Sequence, residues 1–190
     1  MRWAGMTLSD LDSAVTHGIN GGAGQTPLLD QLMVGISTWG VPLLIVAVAL
    51  QWWQGSNRPH TRHVLLAAGL SFLLGLALNQ IILLFVHRMR PYDGGVTHLL
   101  IERSTDYSFP SDHATACFAI AGALLFHGMP RRGSAFLVAA MLMIFSRVYV
   151  GTHYASDVLG GALTGIVGAG LVRAMYREGT RADRFVTGFL

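Results

Sequence analysis

Charged side chains in this chain keep to the ends of long apolar runs. The runs cover about residues 28–53, 62–87, 111–127, 134–150 and 155–176. Segments of that length and composition have few ways to fold. In hydrocarbon each backbone N–H and C=O must find its partner within the protein, and a helix does so within a single segment. The 62–87 run, as a helix, is ~39 Å long and crosses a ~30 Å apolar layer with some tilt. Only 12% of the residues are charged and 52% are hydrophobic, whereas soluble domains carry about a quarter charged residues. The fold class expected is therefore all-α: a polytopic membrane helix bundle of five to six transmembrane helices, in a single domain spanning 1–190.

Residues 8–20 place Leu8, Leu11, Val15 and Ile19 at helical spacing with two aspartates between them. That pattern predicts an amphipathic helix lying at the membrane interface. The opening stretch MRWAGMTLSDLDSAV has no apolar leader core, so insertion is expected to rely on the later segments. A polar linker is expected from Gln54 to His63, a turn over Gly128–Gly133 and an arginine-rich tail after residue 176. The 111–127 run is short for a crossing. Glycines 160, 161, 165, 168 and 170 predict close helix packing along the last run. Cys117, alone inside an apolar run, is expected to be a buried, inert thiol.

All thirteen basic residues are arginine. With five crossings, Arg58, Arg62, Arg131, Arg132, Arg173, Arg177, Arg181 and Arg184 share one side, and Arg88, Arg90, Arg103 and Arg147 the other. The excess of positive charge assigns the first side to the cytoplasm, so the second faces outward. No basic stripe suited to nucleic acid is present.

Three clusters sit on that outer side: His87-Arg88-Met89-Arg90-Pro91, Pro110-Ser111-Asp112-His113, and Ser146-Arg147 followed by His153 and Asp157. Guanidinium groups pair bidentately with phosphate oxygens. Ser111, as the N-cap of a helix, would leave N–H groups and the positive dipole end available to an anion. His113, one residue into that helix, has the chemistry of a general acid. If 153–157 is helical, His153 and Asp157 share a face, and the carboxylate fixes the tautomer of a nucleophilic imidazole. Each cluster alone has a plainer account: snorkelling arginines, a capping serine beside a solvated histidine, or a polar helix start. His87, Glu102, Asp106 and Asp112 could simply solvate the loop. His113, His153 and Asp157 also match a zinc ligand set, but the adjacent arginines repel a cation and attract an anion, so no metal and no cofactor is expected.

Together the clusters resemble the type 2 phosphatidic acid phosphatase superfamily, whose signature is Lys-x6-Arg-Pro, Pro-Ser-Gly-His and Ser-Arg-x5-His-x3-Asp. Ser146, Arg147, His153 and Asp157 match the third part in full. Pro110, Ser111 and His113 match the second, with Asp112 in place of glycine. Arg90 and Pro91 match the first, but Leu83 stands where lysine is expected, and Arg88 is a candidate substitute. The forms His-Arg-x-Arg-Pro and Phe-Pro-Ser-Asp-His-Ala-Thr look like the bacitracin-resistance branch of undecaprenyl-diphosphate phosphatases.

The resemblance implies His153 as nucleophile, Asp157 as its support and His113 as acid. Arg90, Arg147, Ser111, Arg88 and Ser146 are the implied phosphate holders. It also implies a polyprenyl or other lipid phosphate as substrate, with undecaprenyl diphosphate first and phosphatidylglycerol phosphate, phosphatidic acid or a lipid A phosphate as alternatives. The implied location is a bacterial cell membrane with the site facing the periplasm or exterior. A head-group binder without turnover is the competing class.

Overall fold

The computed structural model describes residues 7–54 and 57–188; the first six residues of the opening stretch, and Gly55 and Ser56 of the linker, lie outside them. The described residues form seven α-helices and no strand: α1 (Leu8–Asn20), α2 (Pro27–Ala49, continued by a 3₁₀ turn Leu50–Trp53), α3 (Arg58–Leu83), α4 (Asp112–Phe126), α5 (Pro130–Tyr149), α6 (Ala155–Met175) and α7 (Arg181–Thr187). Among the described residues, four elements are long and apolar enough to cross a membrane: Pro27–Trp53, Arg58–Leu83, Pro130–Tyr149 and Ala155–Met175.

The remaining apolar run, 111–127, forms α4 and is the centre of the bundle rather than a lipid-facing span. Its residues from Ala114 to Leu124 are all buried, with α3, α5 and α6 packed around them. At ~1.5 Å per residue it is only ~22 Å long. Its first residue, Asp112, accepts a 2.7 Å hydrogen bond from Asn79 of α3, one turn inside the end of α3 at Leu83. The start of α4, and the cluster it carries, is thus recessed below the rim.

Small residues allow this packing. A Cβ on Gly165 would lie 2.5 Å from the carbonyl oxygen of Thr115, and one on Gly168 would lie 3.1 Å from the backbone nitrogen of Gly75. Gly161 abuts Ser111 and Gly160 abuts Phe109, whereas Gly170 faces open space and takes no part in the close packing expected of it. Buried Cys117 lies in the same core.

Local chemistry shifts the expected boundaries. The second span begins at Arg58, because Asn57 caps the helix by accepting from His60 N–H and Pro59 fits the first turn. It ends at Leu83, not 87; a residue before proline disfavours helix, and the chain is non-helical through Arg90-Pro91. The turn expected over 128–133 is confined to its start, where Gly128 has φ +82°, and Pro130 opens α5. The tail contains α7, held to α3 by the His63–Asp183 pair at 2.8 Å and by Arg62 donating to the Thr187 carbonyl at 2.9 Å.

Helix α1 turns Leu8, Leu11 and Val15 outward, whereas Ile19 packs against the core. Thr16 and Asn20, on the opposite face, are buried against the protein. Asn20 donates to the carbonyls of Tyr149 and His98 and accepts from the His98 N–H, tying α1 to the loops at the recessed end of the bundle.

Candidate active site

The three sequence clusters converge on one cavity of about 110 Å³, lined among others by Leu83, Arg90, Asp106, Asp112, His113, Arg147 and His153. His153 is 3% exposed. It sits in the loop ahead of α6, so the condition that 153–157 be helical is not met. Its Nδ1 lies 2.8 Å from the Ser108 carbonyl oxygen but 3.7 Å from Asp157 Oδ2. The carbonyl is only an acceptor, so Nδ1 carries the proton and Nε2 keeps its lone pair. Nε2 lies 3.3 Å from an Arg90 guanidinium nitrogen. Burial, with Arg147 and Arg90 nearby, pushes the imidazole down to about 4, so it is neutral at physiological pH. Sequence reasoning missed Ser108, which no spacing rule marks: its role comes from a contact 45 residues away.

Asp157 supports this arrangement from behind and is fully buried. Its Oδ2 accepts from Ser108 Oγ at 2.5 Å and from Tyr154 N–H at 2.8 Å. Its Oδ1 accepts from Arg88 at 2.7 Å. The carboxylate therefore fixes both the start of α6 and the segment whose carbonyl orients His153.

Arg90 is held flat by the carbonyls of Thr152 and Asp106 at 2.9 and 3.1 Å, with Asp106 Oδ1 at 2.7 Å. Arg147 enters from α5 with one terminal nitrogen donating to Ser37 Oγ of α2 at 2.6 Å. Its Nε is buried without a hydrogen-bond partner among the described residues, and so is Ser111 Oγ. Buried polar atoms are normally paired. Ser111 does occupy the N-cap of α4, yet its side chain does not cap the helix. A hydroxyl and a guanidinium edge near a helix N-terminus are thus left unpaired, as a place for an anion requires.

Two predicted phosphate holders lie elsewhere. Arg88 does not line the cavity; its guanidinium is taken up by Asp157, Asp12 and Ser156 and lies 3.8 Å from the Tyr154 ring centre. Ser146 Oγ donates to the Met143 carbonyl at 2.7 Å, inside α5. Leu83, where lysine was expected, does line the cavity, so its cationic side chains among the described residues are Arg90 and Arg147. The suggested zinc set also fails on geometry. Both oxygens of Asp157, the carboxylate of that set, are committed to donors.

Asp106 competes with any incoming anion. Burial opposes its charge, but Ser104 and Arg90 outweigh that and hold it below the usual carboxylate range. The Asp106 side chain is 57% exposed, and half-exposed pairs contribute little. Asp106→Asn is therefore expected to lower KM by about twofold to fivefold with kcat nearly unchanged, measured by initial rates of phosphate release; a raised KM would contradict the competing role.

A second, apolar cavity of about 140 Å³ adjoins the first. It is bounded by Val41 of α2, Phe72 and Leu76 of α3 and Ala116 of α4, and it shares Asp112 and His113 with the polar cavity. His113 therefore stands between an anion-binding space and an apolar one, and its ring makes no hydrogen bond to the described residues.

With this geometry in view, comparison with known proteins assigns the class. The sequence pattern of the PAP2 superfamily matches residues 64–181. The chain is 35% identical over 149 residues to undecaprenyl-diphosphatase BcrC of Bacillus subtilis, covering 78% of this chain and 76% of that one. It is 31% identical over 145 residues to an undecaprenyl-diphosphatase of Sulfolobus acidocaldarius, covering 74% and 68%. The crystal structure of a transmembrane PAP2-type phosphatidylglycerolphosphate phosphatase from Bacillus subtilis superposes with a TM-score of 0.66 at 26% identity, covering 91% of this chain and 88% of that one. The chain belongs to the PAP2 superfamily and is a multi-pass membrane protein.

Proposed function

We propose that the protein hydrolyses undecaprenyl diphosphate to undecaprenyl phosphate and inorganic phosphate through a phosphohistidine. One observation carries the reading: His113 sits where the polar cavity meets the apolar one. A lipid diphosphate has that same polarity, with a terminal phosphate to place beside His153 and an apolar chain to place against Phe72 and Leu76. Similarity to the two undecaprenyl-diphosphatases favours this lipid over the other substrates of the superfamily.

In the first step Nε2 of His153 attacks the terminal phosphorus while the bond to the bridging oxygen breaks. Without substrate, burial with Arg147 and His153 nearby holds His113 neutral; the bound diphosphate anion brings a proton onto it, which it gives to the bridging oxygen as undecaprenyl phosphate leaves. Arg90, Arg147, Ser111 Oγ and the first amides of α4 hold the phosphoryl oxygens as charge spreads over them. Water then attacks phosphorus from the vacated side and His113 takes its proton. The P–N bond breaks, releasing phosphate and restoring neutral His153. Asp157 and the Ser108 carbonyl stabilise the charge that the imidazole carries in between. No step calls for a metal.

The distribution of arginines favours the side of the membrane away from the cytoplasm for this site, where a bacterial cell-wall lipid carrier would be recycled. The test is phosphate release by purified protein from undecaprenyl diphosphate, phosphatidylglycerol phosphate, phosphatidic acid and a lipid A phosphate, with and without chelator. The highest kcat/KM is expected for undecaprenyl diphosphate, unchanged by chelator. Absence of turnover on that lipid, beside turnover on another, overturns the substrate; loss with chelator overturns the mechanism.

A further inference from the structure

The first turn of α6 carries the residue that supports the nucleophile, yet its leading amides are not satisfied by residues of its own helix. Ala155 N–H donates to Thr16 Oγ1 at 3.0 Å, and Ser156 N–H donates to Asp12 Oδ1 at 2.9 Å. Both acceptors lie on α1, more than 130 residues earlier in the chain. The other oxygen of Asp12 accepts from Ser156 Oγ at 2.5 Å and from Arg88 at 2.6 Å. Arg88 in turn donates to Asp157 Oδ1 at 2.7 Å. Asp12 thus caps α6 from outside and balances a cation placed between two carboxylates. Its side chain is only 11% exposed, so water screens this arrangement little.

We infer that Asp12 is a positioning residue for the proposed hydrolysis, acting through Arg88 and Asp157 on the geometry and charge of His153. The inference rests on His153 being the nucleophile. With Asp12 in place, the positive charge of Arg88 is shared between two carboxylates. Asp157 then retains enough negative charge to support an imidazole that becomes cationic on phosphorylation. Without it, Arg88 draws on Asp157 alone. The other groups in range of His153 are Arg90 in the loop, Arg147 of α5 and His113 of α4, and none of them contacts Asp12. The arrangement also gives α1 a positioning role, since it holds the nucleophile's support in register.

Asp12→Asn keeps the shape and removes the charge. Assayed in detergent on farnesyl diphosphate, it is expected to lower kcat about tenfold to a hundredfold, the range for lost outer-shell partners, with KM within about threefold. The acid limb of kcat/KM should move to lower pH, because uncompensated Arg88 disfavours the imidazolium form. Thr16→Ala loses a cap without a charge; it should lower the melting temperature and leave that limb in place. Arg88→Gln should be as slow alone as in combination with Asp12→Asn, whereas losses that multiply overturn the route through Arg88. Should Asp12→Asn not fold, Arg88→Lys carries the same test, since one ammonium cannot bridge Asp12, Ser156 and Asp157 as the guanidinium does; unchanged kcat there overturns the inference. The titration of His153, followed by NMR of ring-labelled protein, separates the two readings. Wild-type protein inert on every lipid phosphate overturns the function, whereas a His153 pKa unmoved in Asp12→Asn overturns the role of Asp12.

Discussion

Replacing His153 with alanine is expected to reduce phosphate release by at least about 10⁴-fold, the scale seen when a covalent nucleophile is removed from a preorganised site. The structure gives the reason in its hydrogen bonds. Nδ1 is bound to the Ser108 carbonyl, so the lone pair of Nε2 faces the arginine-lined cavity, and burial keeps the ring neutral. His113 lines the same cavity, but no hydrogen bond among the described residues fixes its tautomer or orientation as the Ser108 carbonyl fixes that of His153. Ser111 Oγ is buried, and no base holds its proton. Substrate binding should survive in His153→Ala, because Arg90, Arg147 and the start of α4 are untouched. Equilibrium binding of a non-hydrolysable lipid diphosphonate would check this. A head-group binder without turnover would show the same binding in both proteins and no phosphate release from either.

Gly165→Val is expected to have the largest effect on stability. A Cβ there would meet the Thr115 carbonyl oxygen at 2.5 Å and the Ala119 nitrogen at 2.8 Å. Both are backbone atoms of α4 and cannot rotate away, so α4 and α6 must separate. Overpacking a well-filled core costs about 1–3 kcal/mol even where side chains can yield, and the upper end or beyond applies to rigid backbone. Because α4 carries Ser111 and His113, and α6 begins just after His153, the separation should also inactivate the fraction that remains folded. Gly170→Ala is the matched control. Its Cβ enters open space, and a helical glycine is about 1 kcal/mol less favourable than alanine. Thermal unfolding in detergent should show Gly165→Val melting well below wild type and Gly170→Ala at or above it. Equal melting of the two variants would mean that the α4–α6 contact is not the tight one.

How much of this could be read from the sequence depends on how local each signal was. The spans follow from apolar runs, and the meeting of the three clusters follows from counting arginines on either side of them, because membrane topology forces distant loops onto a common face. The signature residues Arg90, Arg147, His113 and His153 accordingly converge on one cavity, with Ser111 buried between Pro110 and Asp112 of its wall. Three features could not be read this way. Arg88 has the residue type of a phosphate ligand, but two carboxylates from distant segments take up its charge. Ser108 orients His153 with a backbone carbonyl, which every residue possesses and no motif marks. The inward face of α1 consists of Asp12, Thr16 and Asn20, which in one dimension look like interruptions of an amphipathic pattern. Only the fold reveals Asp12 and Thr16 as gripping α6, and Asn20 as holding the end of α5 and the His98 loop. Leu83 illustrates the opposite case: the sequence flagged a departure from the superfamily pattern, and the structure puts that leucine in the cavity wall.

The central claim, covalent catalysis by His153, is tested most directly by trapping the intermediate. Undecaprenyl diphosphate labelled with ³²P in its terminal phosphate should transfer label to the wild-type protein on millisecond mixing and quenching. The label should be acid-labile and base-stable, map to the peptide containing His153, and be absent from His153→Ala. Release of labelled phosphate with no labelled protein at any time, or label that persists in His153→Ala, would contradict the account.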